Sequence, residues 1–205
     1  AVSATASTVD LIGLATYFLL FNCRHPLLSQ AGARQALAHC IDPVQLVAEV
    51  WAGHQLPASG GLIPPGMPGH TPALGRPAVS VTPTLRAQLT QAELTLAALD
   101  GFRHTPEWLC SQWKQHLGCT VHWWNDLTPD QLFAALASGD LAMALLGWEF
   151  EYPDPQPLLH GLFHSQGALN VGGWQDATYD ALIEQVAQTD LPQRRQLYHT
   201  AEQLL

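Results

Sequence analysis

The clearest pattern along the chain is a run of seven mostly apolar residues, 141–147, that ends in a cluster of aromatic and acidic residues, 148–155. The run is long enough for a buried β-strand and too short to cross a membrane. The cluster would follow the carboxyl end of this strand, where ligand crevices open in α/β sheets. Aromatic rings beside a carboxylate can hold a ligand with an apolar body and a cationic group. We therefore expect a binding site here.

Three further segments have the composition of β-strands. Residues 17–23, YFLLFNC, predict a strand that is buried on both faces, and residues 92–99 predict a second strand. Residues 119–124 alternate in polarity and predict a half-buried strand. Between them, residues 53–83 are rich in Gly and Pro and predict a long loop, of the kind that is functional or packs as an arm.

Helical patterns separate the predicted strands. Three begin at an N-cap residue followed by proline, namely Asp42-Pro43, Thr105-Pro106 and Thr128-Pro129, and two end at Gly118 and Gly139. The predicted helices cover residues 32–40, 42–52, 105–117, 128–139, 156–164, 176–189 and 191–205. Strands that alternate with helices across short turns form βαβ units. The sequence therefore predicts an α/β fold with a mixed, largely parallel sheet flanked by helices.

Composition narrows the classes of function. The chain has 205 residues, and its net charge is −9 with only eight Lys and Arg residues. Phosphate binding needs clustered cations, so we expect no nucleic-acid partner. No apolar run reaches the roughly 18 residues that suggest a membrane span, so we expect no membrane insertion. The last helical pattern runs to residue 205 without a cap, which leads us to expect that the natural polypeptide continues.

The four cysteines do not identify a compartment. Cys23, Cys40, Cys110 and Cys119 include no CxxC pair, which argues against a zinc ribbon or a redox motif. A bridge between Cys110 and Cys119 in an oxidising compartment is one alternative. Four separate buried thiols are the other, because free cysteine is among the most buried residue types.

Signals for catalysis and metal binding are weak. The chain has no GxSxG motif, and residues 60–66, GGLIPPG, lack the Lys-Ser/Thr of a phosphate-binding loop. His160 and His164 lie on one face of a predicted helix, but no third ligand of suitable spacing stands nearby. We therefore expect a binding protein rather than an enzyme, with no metal and no cofactor.

Four segments in order carry a resemblance to a known family. They are residues 17–42 with FN and RQALAHCID, residues 53–70 with the Gly-Pro loop, residues 139–155, GDLAMALLGWEFEYPDP, and residues 170–205 with YDALI and DLPQRRQLY. Together they resemble the family 5 solute-binding proteins of bacterial ABC importers, the dipeptide- and oligopeptide-binding group. The chain matches the second, C-terminal lobe of such a protein.

This resemblance implies a periplasmic-binding-protein-like lobe, residues 16–205, that follows an N-terminal extension or hinge segment, residues 1–15. The full protein would close two lobes on a small solute, a peptide or similar compound, and deliver it to an ABC permease. The implied location is periplasmic or extracellular and membrane-associated. The alternative is a ligand-sensing domain of a cytoplasmic transcription regulator, since some regulators resemble this family.

Glu151 is the leading candidate for ligand binding. In peptide-binding members of the family the matching carboxylate pairs with the α-amino group of the ligand, and a desolvated ammonium needs such a counter-charge. The family usually has Asp where this chain has Glu151, and a basic residue where it has Gly32. The longer Glu151 side chain would shift the polar group of the ligand.

The remaining candidates form a group of aromatic and amide side chains. Trp148 and Tyr152 are predicted to form apolar walls, and Asn22, Asn170 and Trp174 are further candidates for contact with the ligand. Ordinary packing or bracing of loops is the alternative for all five. We expect Glu149 to face away from the site. Asp154 is expected to cap the helix that follows it.

Overall fold

The computed structural model describes residues 13–58, 61–72, 74, 79–99, 101–102 and 104–205. Its strands are β1 (Ala15–Phe21), β2 (Glu93–Ala98), β3 (Thr120–Trp124) and β4 (Met143–Glu149). Its helices are α1 (Ala31–His39), α2 (Pro43–Val50), α3 (Pro83–Gln91), α4 (Thr105–Leu117), α5 (Pro129–Ser138), α6 (Gln156–Phe163), α7 (Ala177–Val186) and α8 (Leu191–Glu202). None of the described helices has the length and apolar character needed to cross a bilayer. Residues 1–12 of the predicted extension lie outside the described residues, and its boundary stays a prediction.

The described strands form one mixed sheet in the order β1–β4–β2–β3. β2 is parallel to both β3 and β4, whereas β1 is antiparallel to β4, with Ala15 opposite Glu149 and Phe21 opposite Met143. The predicted α/β class, with a largely parallel sheet flanked by helices, is confirmed. β2, β3 and β4 end at the same side of the sheet, which we call the carboxyl edge, and β1 begins there.

The prediction that residues 17–23 form a strand buried on both faces is wrong. β1 begins and ends two residues earlier, and among the described strands it pairs only with β4. Leu20 is its one buried residue, and 52% of Tyr17 is exposed. The apolar run therefore predicts the strand correctly but not its burial, because an edge strand has a neighbouring strand on one side only.

The sheet separates two apolar clusters because side chains alternate along each strand. In β4, Met143 belongs to the cluster covered by α1, α3 and α4, and the next residue, Ala144, belongs to the cluster covered by α5, α6, α7 and α8. Trp113 of α4 is fully buried in the first cluster. Its indole Nε1 donates a hydrogen bond to the Leu37 carbonyl oxygen at 3.0 Å and so joins α4 to α1.

Most helix ends follow the signals in the sequence. Asp42, Thr128 and Asp190 accept hydrogen bonds from backbone amides in the first turns of α2, α5 and α8. Gly118 and Gly139 end α4 and α5 with a positive φ, which a residue without a side chain adopts at little cost. The cap predictions made above for Asp42, Thr128, Gly118 and Gly139 are confirmed, and Asp190 caps α8 in the same way.

The helices differ from the predictions in three main respects. Thr105 does not cap α4, because it is already helical, His104 takes the N-cap position, and the buried Thr105 hydroxyl has no partner among the described atoms. α3 has no counterpart in the sequence prediction, since Leu89 is its one buried residue and no apolar stripe marks the helix. α8 ends at Glu202 with Gln203 as its C-cap and does not run to residue 205.

All four cysteines are free thiols, so the alternative of a Cys110–Cys119 bridge is not realised in the structure. Burial is the main cause that raises the pKa of Cys110 and of Cys119 to about 11. Both side chains are therefore uncharged at neutral pH, and a protonated thiol is a poor nucleophile.

An arm formed by residues 61–72 is tied to α8 by a buried carboxylate. Glu202 is only 4% exposed, and its Oε1 accepts hydrogen bonds from the backbone amides of Leu62 and Ile63 at 2.5 and 2.9 Å. Burial raises the pKa of Glu202 above the ordinary glutamate value, although the two amides oppose the shift. The charged form therefore exists in the folded chain at an energetic cost.

Glu202→Gln is expected to make the chain more stable than the parent at neutral pH, with a smaller difference in acid. Because the pKa of folded Glu202 is raised, the stability it contributes is fully present below the ordinary glutamate pKa and is lost as the pH rises through the raised value. Glutamine imitates the protonated acid, since it keeps an acceptor for both amides and carries no charge. Urea unfolding between about pH 4 and pH 8 measures the effect. Parallel stability curves for parent and variant would contradict it.

Candidate functional site

A cleft opens at the carboxyl edge of the sheet, where β4 ends. It has a volume of about 220 Å³ and is lined by Trp148, Glu149, Phe150, Glu151, Tyr152, Asp154 and Pro157. We call it the β4 cleft. Its position follows from the apolar run of β4, which delivers the aromatic and acidic cluster to the edge at which the parallel strands end.

The backbone beyond β4 is fixed so that two aromatic rings line the cleft. The Phe150 amide donates a hydrogen bond to the Leu14 carbonyl oxygen at 2.8 Å, which extends the antiparallel pairing by one position. Trp148 and Phe150 are half-buried and pack against the apolar cluster beneath α5 to α8. Each ring is therefore supported by the core while it contributes to the cleft wall. Phe150 was not among the predicted site residues, although its alternation with Glu149 and Glu151 was a usable signal.

Gly147, which precedes Trp148, has no room for a side chain. A Cβ atom at this position would lie 2.9 Å from Cε1 of Tyr17, so the tyrosine ring rests on the strand backbone. Tyr17 also stacks on Trp51 with ring centroids 6.2 Å apart and meets Phe102 edge to face at 5.6 Å. The missing side chain thus lets an aromatic trio pack beside the cleft, on the face of the sheet that α1, α3 and α4 cover.

Two carboxylates of the β4 cleft have no counter-charge within the described part of the chain. Glu149 and Glu151 are exposed and form no hydrogen bond or ion pair there, and Tyr152 beside them is 53% exposed. The expectation that Glu149 faces away is wrong, because residues two apart in an extended segment point to the same side. Two uncompensated anions next to the rings of Trp148 and Tyr152 suit a cation with an apolar body.

Asp154 differs from these carboxylates because its oxygens are engaged. Its Oδ1 accepts hydrogen bonds from the Gln156 amide at 3.0 Å and the Tyr198 hydroxyl at 2.7 Å, and its Oδ2 pairs with Arg194 Nη2 at 2.7 Å. Burial of Asp154 works against ionisation, but these hydrogen bonds and the Arg194 charge hold the pKa of the carboxyl below its usual value. The prediction that Asp154 caps α6 is wrong, because Pro155 takes the N-cap position of that helix. Asp154 lies one residue earlier and ties the start of α6 to α8.

Asp154→Asn is expected to lower the free energy of unfolding by about 1–2 kcal/mol, since both partners are partly exposed. The carboxylate is charged and paired in the folded chain, so the loss should be present at neutral pH and vanish as the pH falls through the lowered pKa of Asp154. Chemical unfolding at two pH values measures this. Asp126→Asn, in an exposed loop, is the matched control. A loss that is equal at both pH values would contradict the charge-based account.

The other three predicted site residues lie at the opposite end of the sheet. Because β1 is antiparallel to β4, Asn22 follows β1 at the side where β4 begins, roughly 20 Å along the strand from the cleft. The loop that holds Asn170 and Trp174 joins it there, since the Cys23 amide donates to the Gly172 carbonyl oxygen at 2.7 Å. The structure therefore brings Trp148, Glu151 and Tyr152 together and separates them from Asn22, Asn170 and Trp174.

Asn22 is fully buried and its side chain is occupied by the fold. Its Nδ2 donates to the carbonyl oxygens of Leu136 and Leu141, both at 2.8 Å, and its Oδ1 accepts from the Arg24 amide at 3.0 Å. These contacts brace the turn between α5 and β4 against the end of β1. The structure thus favours the alternative of bracing for this residue.

Asn170 and Trp174 hold the loop that follows α6. Asn170 Nδ2 donates to the carbonyl oxygens of His164 and Trp174 at 3.1 and 2.8 Å. The Trp174 ring packs edge to face on Tyr179 of α7 with centroids 5.1 Å apart. The Trp174 ring and the Asn170 Nδ2 are therefore engaged within the chain, whereas the buried Asn170 Oδ1 has no hydrogen-bond partner among the described atoms.

His160 and His164 stack on each other with ring centroids 4.6 Å apart. His164 is buried, its Nδ1 accepts from the Gln166 amide at 3.0 Å, and its Nε2 lies 3.5 Å from Glu184 Oε1. Among the described residues, no group of three or more His, Cys, Asp or Glu side chains is arranged to hold a metal ion. The pair joins α6 to α7.

Comparison with known proteins gives the chain a family. A family model described as "Bacterial extracellular solute-binding proteins, family 5 Middle" matches residues 5–170. The chain belongs to family 5 of the bacterial extracellular solute-binding proteins. The resemblance seen in the sequence is thereby confirmed, and the β4 cleft becomes a feature of a family 5 lobe.

Two curated relatives of this family 5 chain cover nearly all of it. The "Probable deoxycholate-binding periplasmic protein YgiS" of Escherichia coli is 31% identical over 205 aligned residues, which take in 90% of this chain and 37% of the relative. The "Oligopeptide-binding protein OppA" of Bacillus subtilis is 24% identical and matches 91% of this chain and 37% of its own length. The chain thus spans little more than a third of the length of these relatives, which are named as binding proteins.

Solved structures share the fold. The periplasmic binding protein DppA from Helicobacter pylori, in complex with the peptide STSA, superposes with a TM-score of 0.79 at 18% identity, over 94% of this chain and 39% of that one. The dipeptide binding protein from Pseudoalteromonas sp. SM9913, in complex with Met-Leu, superposes with a TM-score of 0.77 at 22% identity. The match covers 94% of this chain and 40% of that one. The predicted periplasmic-binding-protein-like lobe is confirmed as a fold.

Proposed function

We propose that this chain forms one wall of the solute cleft of an ABC importer's binding component, and that Glu151, Trp148 and Tyr152 contact the solute. The observation that carries the proposal is the pair of uncompensated carboxylates, Glu149 and Glu151, between aromatic rings at the carboxyl edge of the sheet. A peptide with a free amino terminus supplies the matching cation and an apolar body. Asn22, Asn170 and Trp174 act in this proposal by bracing the lobe.

The remaining parts of the proposal rest on family membership. The chain corresponds to about 37% of its curated relatives, so a second lobe would close the β4 cleft and an ABC permease would receive the solute. A location outside the cytoplasm, in the periplasm or the extracellular space, agrees with the relative that is named periplasmic. The relatives named above are binding proteins, so the alternative of a regulator domain is not carried forward.

Charge decides between two kinds of solute that the relatives suggest. Deoxycholate is an anion, and Glu149 and Glu151 would repel its carboxylate at short range. The positively charged amino terminus of a peptide would instead be attracted by both carboxylates. Asp154 does not alter this balance, because Arg194 neutralises it. The cleft therefore favours a peptide over a bile acid.

Glu151→Gln is expected to weaken binding of the dipeptide Met-Leu by about three- to tenfold, because a charge-assisted contact to a partly solvated ammonium is lost. A heteronuclear NMR titration suits the weak affinity expected for one wall of a cleft. N-acetyl-Met-Leu, whose amino terminus carries no charge, should bind the parent less tightly than Met-Leu, and Glu151→Gln should not weaken its binding. Glu93→Gln, at the far end of β2, makes the same change in net charge and is the matched control.

Two outcomes would contradict the proposal. In the first, Glu93→Gln weakens binding as much as Glu151→Gln, which would reduce the effect to net charge. In the second, deoxycholate shifts the signals of residues 148–157 and Met-Leu does not. That result would assign the cleft to an anion.

A further inference from the structure

A second cavity, of about 640 Å³, is almost three times the volume of the β4 cleft. It lies between α1, α2, α3 and α4 and reaches Leu117, at the end of α4 just before β3 begins. It is therefore on the side of the sheet where β3 starts, away from the carboxyl edge, and we call it the amino-edge cavity. Volumes of roughly 300–1,000 Å³ are typical of small-molecule sites.

The walls of the amino-edge cavity are largely apolar, with one buried amide among them. Ala36, Val81 and Leu117 supply apolar surface. Gln112 of α4 is only 8% exposed, yet its side-chain amide has no hydrogen-bond partner in the described part of the chain. The amide is thus free to bind a polar ligand group in the cavity.

The charged side chains that line this cavity favour an anion. Arg86 is held in place because its Nη1 donates to the His116 carbonyl oxygen at 3.1 Å, and the imidazoles of His116 and His39 lie on the same walls. The one lining carboxylate, Asp42, is engaged by two amides at the start of α2. Gln112 and His116 lie one turn apart on the same face of α4, and Gln112 and Arg86 line the same cavity.

We propose that the amino-edge cavity binds a small amphipathic carboxylate, whose head group pairs with Arg86 and Gln112 and whose hydrocarbon tail lies against Ala36, Val81 and Leu117. The site is separate from the β4 cleft, and the proposal does not rest on the function proposed for that cleft. The guanidinium supplies two directed donors for a carboxylate, and the tail leaves water for an apolar wall.

The test is a heteronuclear NMR titration of the chain with decanoate, with decan-1-ol and decyltrimethylammonium as matched ligands. Decanoate is expected to shift the amide signals of Arg86, Gln112 and Leu117 and to leave those of residues 148–157 in place. It should bind about tenfold more tightly than either matched ligand. Arg86→Gln should remove this preference for decanoate, and Arg86→Lys should retain part of it. Arg195→Gln, on the exposed side of α8, is the control and should leave the preference unchanged.

Arg86 also holds the end of α4, so the thermal unfolding of each variant is measured alongside. Loss of the preference in a variant that keeps the parent's melting temperature supports the site. If Arg86→Gln is destabilised, Gln112→Leu serves as the second variant. It should weaken the binding of decanoate more than the binding of decan-1-ol. The proposal is overturned if the three ligands bind alike, if the shifts centre on the β4 cleft, or if no shift occurs.

Discussion

Replacing Trp113 with alanine is expected to lower the free energy of unfolding by about 3–5 kcal/mol. The indole is fully buried between α4 and α1, so the variant leaves a cavity that the surrounding side chains can fill only in part. The Leu37 carbonyl oxygen also loses its hydrogen bond from Nε1. A loss of this size is a large share of the total stability of an ordinary domain.

Urea unfolding followed by circular dichroism measures the loss in Trp113→Ala. Trp113→Phe is the matched variant, because it keeps most of the buried ring and removes only the donor to Leu37. It should lose clearly less stability than the alanine variant. If both variants lose the same stability, the hydrogen bond to Leu37 dominates and the buried volume of the indole does not.

Replacing Asn22 with leucine is expected to lower the free energy of unfolding by about 2–4 kcal/mol, although the side chain keeps a similar volume. The carbonyl oxygens of Leu136 and Leu141 would each lose a buried donor, and the Arg24 amide would lose its acceptor. The effect should fall on stability, since Asn22 lies at the far end of the sheet from the β4 cleft.

Unfolding experiments and a Met-Leu titration on the same Asn22→Leu sample separate the two roles. Asn125→Leu, in an exposed loop after β3, is the matched control and should change little. A variant that keeps its stability and loses Met-Leu binding would return Asn22 to the ligand site.

The β4 cleft could be predicted from the sequence because its signal is local. An apolar run that ends in aromatic and acidic residues indicates both a buried strand and its exposed end, and β4 with Trp148 to Tyr152 follows that pattern. The parallel part of the sheet could be predicted for a similar reason. The helices between β2, β3 and β4 are marked by caps that the sequence displays, such as Thr128 and Gly118.

The position of Asn22 could not be predicted, because strand direction is a property of the assembled sheet. The residues of β1 indicate a strand equally well in either direction, and only the pairing with β4 shows that β1 is antiparallel. A residue that follows β1 therefore lies at the opposite end of the sheet from the β4 cleft. α3 escaped prediction for another reason: with Leu89 as its one buried residue, it has no apolar stripe to detect.

The contact between Gly147 and Tyr17 limits how the β4 cleft could be altered by directed evolution. Positions 149, 151 and 152 are exposed and can be randomised freely, but any side chain at 147 would collide with the phenol ring. Displacing that ring would also disturb its packing on Trp51 and Phe102. Libraries that include position 147 should therefore vary residues 17 and 147 as a linked pair.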